Sequence, residues 1–185
     1  SDQEALELLK GSIMSVEDKL YDRTAISQGS GMELFVDGKL KFGDNTDATD
    51  IAIYRDPTLV EYLYVTDKGL DSLFWITTAG KVRIVEDNGV GITDPLFVDI
   101  GAKGIYIYDG VIGGIRALFD ENSGAVTGLE KLSGVSPDAF DVSDPQEMAI
   151  FTGTDNMYLL SQSDNSIKKS QGNGGKSYNL PYTYY

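Results

Sequence analysis

One pattern recurs three times along the 185-residue chain, and half of it a fourth time. Each full copy opens on a small hydroxyl residue and an acid: Thr49-Asp50, Thr93-Asp94-Pro95 and Ser143-Asp144-Pro145. A short apolar run follows, at Ile51 to Tyr54, Leu96 to Ile100 and Met148 to Phe151. Next comes a tyrosine between apolar neighbours: Leu63-Tyr64-Val65, Ile105-Tyr106-Ile107 and Met157-Tyr158-Leu159. A glycine turn closes each copy, at Gly80-Lys81, Gly124-Ala125 and Gly175-Lys176. The half copy spans Leu34 to Phe42, where Gly38-Lys39-Leu40-Lys41-Phe42 parallels Gly80-Lys81-Val82-Arg83-Ile84. A repeated supersecondary unit constrains architecture before any chemistry is considered, because one unit buries its apolar faces only by stacking on others like it.

Within each copy, runs rich in Tyr, Ile, Val, Phe and Thr have strand composition. They predict strands near 50–54, 61–66, 72–78 and 81–86, then 96–100, 104–109, 114–119 and 125–130, then 147–151, 156–160, 165–169 and 176–180. Gly, Asn and Asp clusters such as Asp87-Asn88-Gly89 separate them. Asp37-Gly38 between Leu34-Phe35-Val36 and Leu40-Lys41-Phe42 predicts a hairpin turn, and no helix is expected beyond residue 31. Lys131 to Phe140 reads as an inserted loop. Four antiparallel strands per copy stack radially in a β-propeller. The predicted fold is therefore mainly β: blade-like four-stranded repeats forming a partial propeller of about three and a half blades, with an N-terminal helix. An antiparallel β-sandwich that covers its own edges is the competing architecture. Tyr64, Tyr106 and Tyr158 are then packing residues facing neighbouring blades, each with an apolar body and a hydroxyl for an acceptor at the rim.

The first residues follow a different grammar. Leu6, Leu9, Ile13, Val16 and Leu20 fall on one stripe of an α-helix, and Ser1 and Glu4 have capping-box spacing. Residues 1–22 are predicted as an amphipathic helix, 23–31 as a linker and 32–185 as the β-repeat domain. The apolar stripe is a candidate interface, either a short coiled-coil seam or a surface docked on its own domain. A chain starting at Ser1 without Met predicts a processed protein or an excised domain.

Charge excludes several function classes. The net charge is −14, from 29 acids and 15 bases. Such a surface repels nucleic-acid phosphates and anionic membranes. No apolar run is long enough to cross a bilayer, so direct membrane insertion is not expected. The chain has neither cysteine nor histidine, which removes disulfides, thiolate metal sites, Ser-His-Asp triads and His-ligated zinc. Gly175-Lys176-Ser177 imitates the end of a P-loop, but Ser170 stands where the first glycine is needed. Asp44, Asp47 and Asp50 make an oxygen-rich stretch of the kind that suits Ca²⁺; solvated turn acids are the competing reading, and no other cofactor is expected. The equivalent acids Asp50, Asp94 and Asp144 are expected to accept backbone N–H groups at turns. Trp75 lies mid-strand and is expected in the core rather than as a recognition anchor. The aromatic tail Tyr182, Tyr184 and Tyr185 is a candidate docking element for a neighbouring chain.

The run Thr93-Asp94-Pro95-Leu96-Phe97-Val98 followed by Gly104-Ile105-Tyr106-Ile107-Tyr108-Asp109 resembles the blades of six-bladed propellers of the NHL and YWTD-like kind, and the resemblance covers about residues 32–180. Copy three departs from it, with Ser161 where Asp67 and Asp109 stand in the others. The resemblance implies a non-enzymatic propeller-like domain for protein binding or scaffolding, with recognition carried by blade-end loops including 131–145. The alternatives are a structural subunit of a surface assembly and a Ca²⁺-dependent, lactonase-like propeller hydrolase. Because unpaired sheet edges are avoided, the expected partner is protein: self-association or another chain that completes the ring. A helix followed by such blades is similar to outer regions of some bacterial membrane-anchored proteins, which leans the location toward the cell surface or outside the cytoplasm.

Overall fold

The first copy folds as four antiparallel strands in sequential order: β1 (Ala48–Arg55), β2 (Glu61–Asp67), β3 (Ser72–Thr77) and β4 (Val82–Ile84). The second repeats the arrangement with β5 (Pro95–Gly101), β6 (Gly104–Asp109), β7 (Gly113–Phe119) and β8 (Val126–Lys131). The third does so with β9 (Pro145–Phe151), β10 (Asn156–Ser161), β11 (Ser166–Ser170) and β12 (Tyr182–Tyr184). The computed structural model describes residues 37–142, 144–172, 178 and 182–184, all within the compact unit Val36–Tyr185. The N-terminal helix and linker, with Leu6, Leu9, Ile13, Val16 and Leu20, lie outside the described residues, as does Tyr185.

The sheets stack as blades. Strands β1, β5 and β9 lie side by side, each the first strand of its sheet. Side chains alternate across each strand, so each sheet presents one face to the blade before and one to the blade after. Ala52, Tyr64, Leu73 and Trp75 of blade 1 pack on Val98, Ile105, Ile107, Ile115, Ala117 and Leu129 of blade 2. Tyr106 and Tyr108 of blade 2 pack on Met148, Ile150, Met157 and Leu159 of blade 3. The core thus sits in two seams between sheets. Stacking of that kind is blade packing, and the described residues form three antiparallel four-stranded blades.

The registers reveal a frame the sequence misleads about. Ala48 pairs with Asp67, Pro95 with Asp109 and Pro145 with Ser161. Asp47, Asp94 and Asp144 are therefore the equivalent acids, each just before the first strand of its blade. Asp50, grouped with Asp94 and Asp144 from the sequence, instead matches Phe97 and Glu147 three places further on. At the opening of blade 1 Thr-Asp occurs twice, at 46–47 and at 49–50, and a register shift between Ala48 and Asp50 hides which copy belongs to the repeat. Ser161 does occupy the place of Asp67 and Asp109, as the alignment of the copies implied.

Three elements differ from expectation. Asp37-Gly38 opens no hairpin: the Asp37 side chain accepts the Leu40 N–H at 3.1 Å and caps a short helix, α1 (Gly38–Phe42), whose Phe42 ring stacks on Phe74 at 4.1 Å. Residues 131–140 are not a free loop. Ser136 caps α2 (Pro137–Phe140) through Ala139 N–H, and Leu132, Val135 and Phe140 are buried in the second seam, Phe140 edge-on to Tyr108. Gly113, at φ +85°, lets the chain pass against the Val135 carbonyl, where any Cβ would collide. Strand β12 falls at 182–184 rather than at 176–180. Tyr178, expected in that strand, bridges to Gly172 and donates its N–H to Ser133 O and its hydroxyl to Asp155 O at 2.9 Å.

Candidate functional site

Most polar side chains buried in the blades hold the backbone in place. Asp67 and Asp109 end the second strands of blades 1 and 2 and are fully buried. Asp109 accepts four N–H groups: Thr93 at 2.8 Å, Asp94 at 2.9 Å, Val111 at 2.8 Å and Ile112 at 2.9 Å. Asp67 takes Asp47 N–H and Leu70 N–H, each at 3.0 Å, and the Thr46 hydroxyl. One carboxylate thus ties the start of a blade to the turn after its second strand, and at Asp109 the four N–H donors fill its acceptor sites.

A second set of carboxylates joins blade to blade. Asp50 accepts its own neighbour, Ile51 N–H, at 2.7 Å and Val98 N–H of the next blade at 2.9 Å. Asp99 repeats this with Ile100 N–H and Ile150 N–H, both at 2.7 Å. In each case an acid on one first strand reaches the position one residue further along the next first strand. Glu147 of β9 holds the place of Asp50 and already accepts Met148 N–H at 3.2 Å. The tyrosines also follow the repeat. Tyr64 sends its hydroxyl to Gly124 O at 2.5 Å across the first seam, and Tyr106 lies in the second seam. They are 0 % and 1 % exposed, and burial raises the pKa of each. Arg116 and Glu130, paired across β7 and β8, are also buried, with Arg116 Nε 2.6 Å from Glu130 Oε1.

The remaining sequence candidates lie apart. Asp44 is exposed and pairs with Lys39 at 3.6 Å, while the Asp50 carboxylate is engaged by two N–H groups. Among the described residues no cluster of three acids is placed to hold a metal ion, and Asp44, Asp47 and Asp50 do not converge. Asp120 caps its own turn through Asn122 and Ser123 N–H. Trp75 is in the first seam under the Arg83 guanidinium, 5.2 Å from the ring centre, as expected of a core residue. Tyr182 and Tyr184 belong to β12, paired with Lys169 and Ile167, so this part of the tail completes blade 3.

What the sequence reading missed are the two outward sheet faces. On blade 1, register aligns Ile51, Val65, Phe74 and Ile84 in one row and Ile53, Leu63, Ile76 and Val82 in the next. Phe42 covers Phe74, but Ile51, Ile84 and Ile53 stay open, Ile53 at 61 %. On blade 3, Leu160 and Ile167 share a row with Glu147, and Phe151 projects at the strand end with 58 % exposure. Tyr158, the third tyrosine of the repeat, is only half-buried there, with the Lys169 ammonium 5.4 Å from its ring. The alternation that produced these faces was visible in Ile51-Ala52-Ile53, but which side would meet a neighbour was not. The middle of the blade 1 rows is covered, since Val65, Phe74 and Ile76 are buried in a third cluster with Phe42, Leu63, Leu70 and Val82. The open apolar side chains there are those at the row ends, and exposed apolar patches mark interaction surfaces.

No protein-family description and no curated protein matches the chain. Among solved structures, it is similar to virginiamycin B lyase from Staphylococcus aureus, at 16% identity and a TM-score of 0.47, over 74% of this chain and 40% of that one. A catalytically inactive variant of the same enzyme, with quinupristin, matches at 16% identity and a TM-score of 0.34, over 72% and 54%. The chain thus spans about half or less of the length of these proteins, and nothing of their chemistry is carried over to it.

Proposed function

We propose that this chain is a non-enzymatic, propeller-like domain whose work is to bind protein. The observation that carries the reading is the contrast between its polar and apolar groups. Asp50 and Asp99 are occupied in joining blade to blade, and Asp67, Asp109, Arg116 and Glu130 in bonds within their own blades. The exposed groups left without such a role include apolar side chains, Ile51, Ile53 and Ile84 on one end face and Phe151, Leu160 and Ile167 on the other. Rows of aliphatic and aromatic side chains on a rigid sheet suit association with another folded protein.

Site-specific photocrosslinking tests the reading. A photoreactive residue at Ile53 or Leu160 is expected to yield protein adducts in the native setting, and one at the exposed loop residue Lys103 is not. Equal yields at all three positions, or none, would remove the proposal.

A further inference from the structure

We infer that a cleft at the rim of the first seam is a groove for an extended peptide segment, held through its main-chain amides. This groove deepens the protein-binding reading and rests on it: it names the form in which a partner is bound and the place. The cleft holds about 350 Å³, and both its walls belong to blades already described, so it does not depend on how the end faces are covered. Arg83, Glu86 and Asn88, from β4 and the turn after it, line one side; Val126 and Gly128, at the start of β8, line the other; Trp75 of β3 lines it as well.

Three observations point to a peptide main chain. Trp75 is 9 % exposed, and its indole N–H is the one buried side-chain donor without a hydrogen-bond partner among the described residues. Folded proteins seldom leave such a donor unmet. The other polar groups of the cleft are also uncommitted. The Arg83 guanidinium, 5.2 Å from the Trp75 ring centre, makes no hydrogen bond or ion pair with the side chains of the described residues, nor do the Glu86 carboxylate and the Asn88 amide. Donors at Trp75, Arg83 and Asn88 therefore stand beside acceptors at Glu86 and Asn88. A polyanion would meet Glu86 and the net charge of −14, whereas a main chain alternates C=O with N–H and satisfies both kinds. Finally, β4 and β8 are the last strands of their sheets, and a free strand edge accepts an extended peptide. Gly128 lies on one of these edges. At the other strand glycines, Gly101, Gly104, Gly113 and Gly114, a Cβ would come within 3.0 Å of another atom. At Gly128 it would meet only Asn88 Nδ2, at 3.8 Å, and φ there is not left-handed. The bulge in β8 falls at Thr127 and does not call for glycine next to it. A strand glycine without an internal reason marks close approach of another main chain.

Trp75 is the chain's only tryptophan, so its indole N–H gives one isolated peak in a ¹H–¹⁵N spectrum of the full chain. The probe is a pool of acetylated, amidated pentapeptides of valine and threonine, raised to about 5 mM. The indole peak is expected to move downfield along a saturable curve, together with amides of β4 and β8. Gly128→Leu should melt as the wild type does, because its Cβ has room, and should weaken the peptides about 10-fold or more by filling the groove. If circular dichroism shows that this variant does not fold, Asn88→Gly makes the same test at a position whose φ of +52° suits glycine. The same peptides N-methylated at alternate amides should also bind about 10-fold more weakly, since they cannot donate along one edge. An indole peak that the pool leaves unmoved, or a curve unchanged in the folded variant, overturns the inference. So do N-methylated peptides that bind as well as their parents, or sodium acetate that moves the peak as far at equal concentration. Adducts at Ile53 with no peptide effect at Trp75 would remove this groove and leave the protein-binding reading standing.

Discussion

At the scale of single residues, the fold depends on acids acting as connectors for backbone amides. Asp109 is the strongest case: buried, with four N–H donors from both sides of its blade converging on one carboxylate. Asp109→Ala would strand those donors, and buried donors without partners are costly. The expected loss is about 3–5 kcal/mol in chemical denaturation, against less than about 1 kcal/mol for Asp144→Ala, whose exposed carboxylate accepts the Gln146 amide. The tyrosines give a matching test at high pH. Burial pushes Tyr108 up to about 12 and raises Tyr64, Tyr106 and Tyr178 as well. Their unfolded values lie near 10, so the folded state holds these protons more tightly. That contribution is complete below about pH 10 and is lost as pH climbs toward 12 and beyond, when the unfolded chain releases protons the folded one retains. Absorbance at 295 nm should show some of the 11 tyrosines ionising freely and the rest only as the sheet signal in circular dichroism disappears. Ionisation of all of them near pH 10 with the sheet signal intact would show the burial to be wrong.

Among the secondary-structure elements, the informative one is the stretch between blades 2 and 3. Its Ser, Gly and Pro content suggested an exposed insertion, yet it carries Leu132, Val135 and Phe140 into the seam. The signal for α2 was present, since Ser136 before Pro137 is a helix start. Its apolar residues show no period that says which blade they fill, because the cavity they enter is built by strands distant in sequence. Phe140→Ala should cost about 3–5 kcal/mol, as for a fully buried ring. Ser136→Ala should cost only about 1 kcal/mol, the worth of a cap. Equal small losses in thermal or urea unfolding would return residues 131–140 to the status of a surface loop. β12 gives a second lesson. The strand moved to 182–184 because Tyr178 is held in the seam by Ser133 and Asp155, a tie between loops that no local pattern announces.

For the molecule as a whole, the repeat itself was legible in the sequence: three units, four strands in each, and a tyrosine in the second strand that faces the adjoining blade in copies one and two but stands half-buried on the outer face in copy three. Those features follow from strand composition and two-residue alternation, which any stretch of the chain carries within itself. The frame of the repeat was not. Thr46-Asp47 and Thr49-Asp50 are equally good openings locally, and only pairing with Asp67 selects the first. The roles of the acids were likewise decided in three dimensions. Asp50 joins two blades while Asp44 stays at the surface, because the amide Asp50 accepts is brought to it by a strand 48 residues away. Which apolar face lies within a seam and which stands open also depends on the neighbours present, since a sheet's two sides have the same alternation. Local chemistry therefore determined what each blade is made of, and long-range register determined how the blades meet and what surface is left to bind.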